Sequence, residues 1–336
     1  MKVGLYSISY LGIWYSGPAL SFEQVVKRAK DYGYAGIELD GKRPHGNPMD
    51  LDRRARDRMR KILEREGIEI PCVAANNDFS SPIAEHRECQ LLMVRELARL
   101  ASDLGAKVVR LFAAWPGMAM RDGRATYDLV RGEFYTFERQ FPYATRLERW
   151  NYVKECLKEA ARFGEEFGVV MALQNHAPLL RHWKDCYDLV REVNSPWLKV
   201  CLDLPMMERL DREYVREAAL RVGGLQVHTH FGGEFYRDDG GQAQLRNLNF
   251  GQPLPDYAHF IELMREVGYD GYFCYELCHP VLSEAHERLG LDYVDEQVRL
   301  AQEFMSTLLE RDRSKAEGGL SAYASSEAVF SPVSNK

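Results

Sequence analysis

Several features are missing from the chain, and each absence removes a class of function. No apolar run approaches about 18 residues, so a bilayer-crossing helix is not expected. The opening Met1-Lys2-Val3-Gly4-Leu5-Tyr6 turns polar too early for a secretory signal, and a cytoplasmic protein is expected. Among seven cysteines there is no C-x-x-C pair. Cys72, Cys201 and Cys274 lie in apolar, strand-like runs, which fits buried thiols in a reducing compartment. There is no basic excess: 44 Lys and Arg face 50 Asp and Glu, a formal net charge of −6, and nucleic acid is set aside as a partner. Nor does a G-x-G-x-x-G follow the first strand, which removes the usual support for a doubly wound dinucleotide fold.

What is present is a repeat. Amphipathic stretches end on a Gly or Pro stop, at Gly33, Gly67, Gly105, Gly168, Pro196, Gly223 and Gly268, and a short β-rich run follows each. With the opening strand near 2–8 these give eight strands: 35–39, 68–73, 107–112, 169–173, 198–202, 224–229 and 271–276. Eight βα units imply a closed (β/α)₈ TIM barrel over residues 1–311, its outer ring completed by a helix at about 290–311. A long loop, 113–147, is expected to be a lid or an interface. The tail 312–336 has too little apolar surface to order itself and is expected at a subunit interface, which makes the chain a homo-oligomer.

Reactive groups of such barrels project from the C-terminal ends of the strands. Four consecutive ends here carry candidate ligands: Gln174-Asn175-His176, Asp203, His228-Thr229-His230 and Glu276. Taken singly, each has an ordinary explanation. An Asp after a strand caps a helix, an H-x-H packs, and a lone Glu forms a salt bridge. Together, one imidazole with oxygen donors suits one divalent metal, Mn²⁺ first, with Mg²⁺ or Co²⁺ behind it. Alternation places Cys201 below Asp203, Cys274 below Glu276 and Ala172 below Gln174, small residues that would leave room for a ligand. Lys42, Arg43 and His45 follow strand two and are expected at the mouth as contacts for sugar hydroxyls or a carbonyl. Trp14, Trp115 and Phe112 are expected to flank a planar aglycone.

On Gly33-Tyr34-Ala35-Gly36-Ile37-Glu38-Leu39, Gln174-Asn175-His176, Leu202-Asp203, His228-Thr229-His230 and Gly268-Tyr269-Asp270-Gly271 with Glu276, the sequence resembles the xylose isomerase-like barrels of the sugar-phosphate isomerase/epimerase superfamily. The resemblance implies a metal held by Gln174, Asp203, His230 and Glu276, with His228 left for substrate. Two positions depart from the family pattern. Gln174 stands where a Glu is usual and cannot accept a proton, and Met206 replaces a frequent His. His176, two residues on, is the substitute base beside Glu276.

The loop Asp40–Pro48, with Gly12-Ile13-Trp14 and Gly17–Leu20, is also similar to the metal-bearing subunit of bacterial C-glycoside deglycosidases. That narrower resemblance implies a lyase which eliminates the aglycone of a 3-oxo-C-glycoside through an enolate, with a small β-rich subunit as partner. The alternatives are a sugar isomerase or ketose 3-epimerase of the same superfamily, and a catalytically silent barrel subunit.

Overall fold

The computed structural model describes residues 1–115, 119–121, 123–126, 141–248 and 253–327. Much of the expected 113–147 loop and the end of the tail therefore lie outside the described residues. Eight parallel strands form one curled sheet: β1 Lys2–Tyr6, β2 Gly36–Asp40, β3 Cys72–Ala74, β4 Val108–Leu111, β5 Val170–Gln174, β6 Leu198–Cys201, β7 Thr229–Gly232 and β8 Tyr272–Glu276. From β1 to β6 the strands pair in chain order, and β8 pairs with β7 on one side and with β1 on the other, Lys2 lying opposite Tyr272. Eight helices alternate with them: α1 Phe22–Asp31, α2 Arg53–Glu66, α3 Ala84–Leu104, α4 Arg146–Phe167, α5 Trp183–Val193, α6 Arg212–Val222, α7 Tyr257–Glu266 and α8 Leu291–Glu327. The fold is thus the expected TIM barrel. No described helix is long and apolar enough to cross a membrane.

Helix ends follow from local chemistry. Ser21 with Gln24 and Thr145 with Glu148 form reciprocal capping boxes, while Gly67, Gly105 and Gly168 close α2, α3 and α4 in the left-handed conformation. The last helix runs through the expected boundary at residue 311 and on to Glu327.

Closure between β6 and β7 departs from expectation. In place of a strand at 224–229 there is a 3₁₀ turn, Gly223–Leu225, and β7 starts at Thr229. The gap is crossed by one backbone bond, from the Val227 amide to the Val200 carbonyl at 3.1 Å, and by the Gln226 side chain, which accepts from the Leu202 amide at 2.9 Å and donates to the Leu202 carbonyl at 3.3 Å. A primary amide substitutes for a peptide group here. His230 consequently lies within the strand and His228 just ahead of it.

Inside the sheet, Cys72, Val108, Ala172 and Cys201 form a small cluster separate from the helix-facing core. These residues are small, as expected, but the room above them is filled by long polar side chains from β2, β4 and β7. Just beyond β2 the backbone passes so close to β3 that a Cβ on Gly41 would lie 2.4 Å from the Ala74 carbonyl oxygen. Only Gly fits there, and the close passage fixes how the chain leaves β2.

Candidate functional site

Five side chains from five strands or strand ends close a hydrogen-bonded ring across the barrel. Arg110 on β4 donates through Nε to Glu38 Oε1 at 2.8 Å and through Nη1 to Gln174 Oε1 at 2.7 Å. Gln174 Nε2 donates to Asp203 Oδ2 at 2.6 Å. His230 completes the circle, with Nδ1 3.1 Å from Asp203 Oδ2 and Nε2 2.6 Å from Glu38 Oε2. Each of the five is at most 1% exposed. Burial pushes the Glu38 carboxyl up, but the charges of His230, Arg110 and His228 outweigh it and hold the group well below the usual carboxylate range. Burial opposes charge on His230 as well. Glu38 and Asp203 reverse that effect and raise the imidazole well above its ordinary value.

One side of the ring is built for a cation. Single ligand atoms of Asp203, His230 and Glu276 all lie within 4.8 Å of one another. Asp203 Oδ1 is buried without a hydrogen-bond partner, a costly arrangement for a carboxylate oxygen that has nothing to bind. Glu276, partly exposed at the end of β8, has its carboxyl pushed up by burial, with the charges of Asp203 and Glu38 adding to the effect. Nε2 of His230 faces Glu38, which fixes the ring's orientation, and Nδ1 faces Asp203 Oδ2, so a cation seated beside that carboxylate would take Nδ1 in place of the hydrogen bond between them. Two carboxylates and one imidazole neutralise a dication and match a hard or borderline divalent ion. These residues fit a metal.

A second cluster, Glu38, Cys72 and His228, also lies within 4.8 Å. Both Glu38 oxygens are already engaged by Arg110, His228 and His230, and burial pushes the Cys72 thiol up. The cluster supports the ring from below.

Several expected roles need correction. Gln174 lies beside the cation site but offers its nitrogen there: Arg110 has only donors and Asp203 only acceptors, so the amide oxygen faces the former and its nitrogen the latter. His228 does not face the substrate side, because its Nε2 is 2.8 Å from Glu38 and the ring is 1% exposed. Arg43 leaves the mouth to pair with Asp50 at 2.6 Å, and His45, 1% exposed, donates from Nε2 to the Leu20 carbonyl at 2.9 Å. The remaining residues stay near the opening. Trp14 packs against Tyr6, Ile8 and Ile13. Lys42 is partly buried; burial lowers its ammonium pKa and Asp40 resists. His176 meets Phe112 and Trp115 edge-on, with centroids at 4.8 and 4.9 Å, and donates from Nδ1 to the Ala177 carbonyl.

Glu38, Arg110 and Asp40 were not singled out from the sequence. Asp40 accepts from the Tyr6 hydroxyl and from Asn76 Nδ2, both at 2.7 Å. Two signals pointed to this group: the i, i+2 acids of Gly36-Ile37-Glu38-Leu39-Asp40, and a lone charge inside Val108-Val109-Arg110-Leu111.

The burial of His45 yields a test of stability. The folded ring keeps its neutral form down to about pH 4, lowered by burial, whereas an unfolded His titrates near 6.5. Its contribution is complete above about pH 6.5 and is lost as pH falls toward 4, about 2–3 kcal/mol by pH 4.5. Urea denaturation at pH 7 and 4.5 should therefore show a smaller acid loss in His45→Gln than in the parent; equal losses would refute the assignment.

The profile of the xylose isomerase-like TIM barrels matches residues 26–305. The chain belongs to this family. L-ribulose-5-phosphate 3-epimerase UlaE of Shigella boydii is 20% identical over 262 residues, covering 75% of this chain and 80% of that protein. D-psicose 3-epimerase from Clostridium cellulolyticum H10, solved with D-tagatose, superposes with a TM-score of 0.60 at 16% identity, over 96% of this chain and 99% of the other. The 3-keto-D-glucoside 4-epimerase YcjR of E. coli superposes at 0.62 and 16% identity, over 90% and 99%.

As a xylose isomerase-like barrel with a cluster able to hold a metal, the protein is an enzyme of the sugar isomerase/epimerase superfamily. The likeness to C-glycoside deglycosidases is corrected by the same comparisons, in which the matched relatives are named as sugar epimerases. The carbon–carbon lyase reaction falls with it, and the small β-rich partner subunit loses its basis.

Proposed function

We propose that the protein is a divalent-metal-dependent ketose 3-epimerase, which inverts the carbon beside a sugar ketone by removing its proton and returning one to the opposite face. The observation that carries this reading is the convergence of Asp203, His230 and Glu276 at the C-terminal end of the barrel, with Glu38 behind His230. A bound divalent cation, Mn²⁺ first and Mg²⁺ or Co²⁺ behind it, supplies the polarisation of the ketone that acidifies the adjacent C–H.

Inversion requires proton-transfer groups on two faces. Glu276 serves one. Gln174 cannot serve the other, being locked between Arg110 and Asp203 and unable to take a proton. His176 takes that place. Its Nδ1–H is spent on the Ala177 carbonyl, which leaves the lone pair on Nε2, and burial lowers its pKa to about 4. The ring is in its base form throughout the neutral range and, once protonated, readily gives the proton back. Phe112 and Trp115 hold its orientation and keep water away. Lys42, beside Asp40, is the polar contact for substrate hydroxyls, and Trp14 borders the same opening.

Incubating Mn²⁺-loaded protein in D₂O with phosphorylated and unphosphorylated ketopentoses and ketohexoses should place deuterium at C3 and generate the C3 epimer, seen by NMR. His176→Ala should slow this by about 10²-fold or more with metal content unchanged. Failure to label any of these sugars overturns the reading. The immobilised Gln174 favours a second reading, in which Glu276 works alone on one face and shifts a proton between neighbouring carbons as an aldose–ketose isomerase. Label at C1 or C2 without C3 inversion identifies that reaction.

A further inference from the structure

Arg110 carries more than the ring requires of it. Its guanidinium has three nitrogens; Nε is used by Glu38 and Nη1 by Gln174, while Nη2 is buried without a hydrogen-bond partner. Leaving a charged donor unsatisfied in the interior costs several kcal/mol in general, so an orphan N–H of this kind marks a place where another acceptor belongs. The group is also held still. Its carbon lies 4.9 Å from the Tyr6 ring centroid and 4.7 Å from that of Phe112, and the two hydrogen bonds fix its plane between the aromatic rings.

Its height in the barrel matters as well. Gln174 is the last residue of β5, so a guanidinium that touches it stands at the C-terminal end of the strands, where Glu276 also ends β8. Phe112, on which Arg110 packs, is the residue His176 meets edge-on. The guanidinium thus touches the aromatic wall through Phe112 and reaches the Asp203 carboxylate of the cation cluster through Gln174.

We infer that Arg110 is a further catalytic residue: Nη2 donates a hydrogen bond to the substrate oxygen on which negative charge collects when the carbon-bound proton is removed. This rests on the proton-transfer reading above. The proton goes from the sugar carbon to the base, the electron pair of the C–H bond becomes the enediolate, and its oxygen, the former ketone, accepts from Nη2 until reprotonation restores the carbonyl. No oxidant or co-reactant is needed. A fixed guanidinium in a dry site stabilises such an oxyanion with little reorganisation. The neutrality of Gln174 follows from the same design. A carboxylate in its position would set a second anion on Arg110, already paired with Glu38, and would repel Asp203, whereas the amide bonds to both and adds no charge.

The test uses Mn²⁺-loaded full-length protein and acetohydroxamate, a planar anion with two adjacent oxygens, as a probe whose binding does not depend on turnover. Arg110→Met removes the donor. Arg110→Lys keeps a cation beside Glu38 and guards against a failure to fold, and both variants are checked for melting temperature and bound Mn²⁺. Calorimetry should show acetohydroxamate affinity falling by about 10²-fold in each variant with Mn²⁺ stoichiometry unchanged, and kcat on a labelled ketose falling by about 10²–10³-fold with KM within about threefold. Affinity within about threefold of the parent would overturn the assignment. So would loss of Mn²⁺ together with the probe, which would make Arg110 a support of the metal centre alone. If the parent labels no sugar, the epimerase reading fails, and the binding arm still decides the role of Arg110.

Discussion

Replacing Asp203 or Glu276 by Ala should leave the purified protein without bound metal and without turnover. Each substitution removes one of three convergent donors and one of the two negative charges that balance a dication, so affinity should fall by well over the about 10²-fold typical of losing an outer partner. The fold should survive. At Asp203 the backbone is held in both directions by Asn175, whose Oδ1 accepts from the Asp203 amide at 2.7 Å and whose Nδ2 donates to its carbonyl at 3.2 Å. These bonds persist in an Ala variant. Elemental analysis after gel filtration, beside a thermal melt, reads both properties, and full metal retention in either variant would show that the centre lies elsewhere.

Glu38→Ala should be the most destabilising single change in the site. Its carboxylate is the shared anion of Arg110, His228 and His230, all at most 1% exposed, and Arg110 makes no other ion pair among the described residues. Removing one partner of a buried ion pair costs about 3–5 kcal/mol, because the surviving charge stays in the interior without compensation. The same change frees His230 Nε2, which should weaken metal binding by about 10–100-fold. Urea denaturation of metal-stripped protein isolates the first effect and Mn²⁺ titration of folded protein the second. A loss below about 1 kcal/mol would mean that the ring does not hold the barrel together. Glu38→Gln, which keeps an acceptor but not the charge, should fall between the parent and Glu38→Ala.

Much of the barrel was legible because its signals are local. Gly67, Gly105 and Gly168 stop their helices by adopting a conformation that few other residues tolerate, and the strands follow within a few positions. The exception, β7, is informative: Val227 and His228 looked like strand, but a single backbone bridge and the side-chain amide of Gln226 join this segment to β6 where a ladder was expected. Strand-end reading also singled out Asp203, His230 and Glu276, which the structure brings together.

Partners distant in sequence were not legible. Glu38 and Arg110 are 72 positions apart, and nothing local reveals that they meet, so Gln174 was read as a cation ligand when Arg110 already holds its oxygen. The likeness to C-glycoside deglycosidases leaned on the loop Asp40–Pro48 with Gly12-Ile13-Trp14 and Gly17–Leu20. There the structure shows polar residues binding the chain to itself: Arg43 to Asp50 and His45 to the Leu20 carbonyl. Side chains that hold two loops together carry no information about which sugar enters.

Metal-dependent proton exchange at a keto sugar is the central claim, and deuterium wash-in tests it most directly. Protein stripped with chelator and then reloaded stepwise with Mn²⁺ is incubated in D₂O with ketopentoses and ketohexoses, and label at C3 is followed by NMR. The account predicts no wash-in by the stripped protein and a rate that rises with bound Mn²⁺ up to one ion per chain. Equal wash-in without metal, or none from fully loaded protein on any ketose, would contradict it.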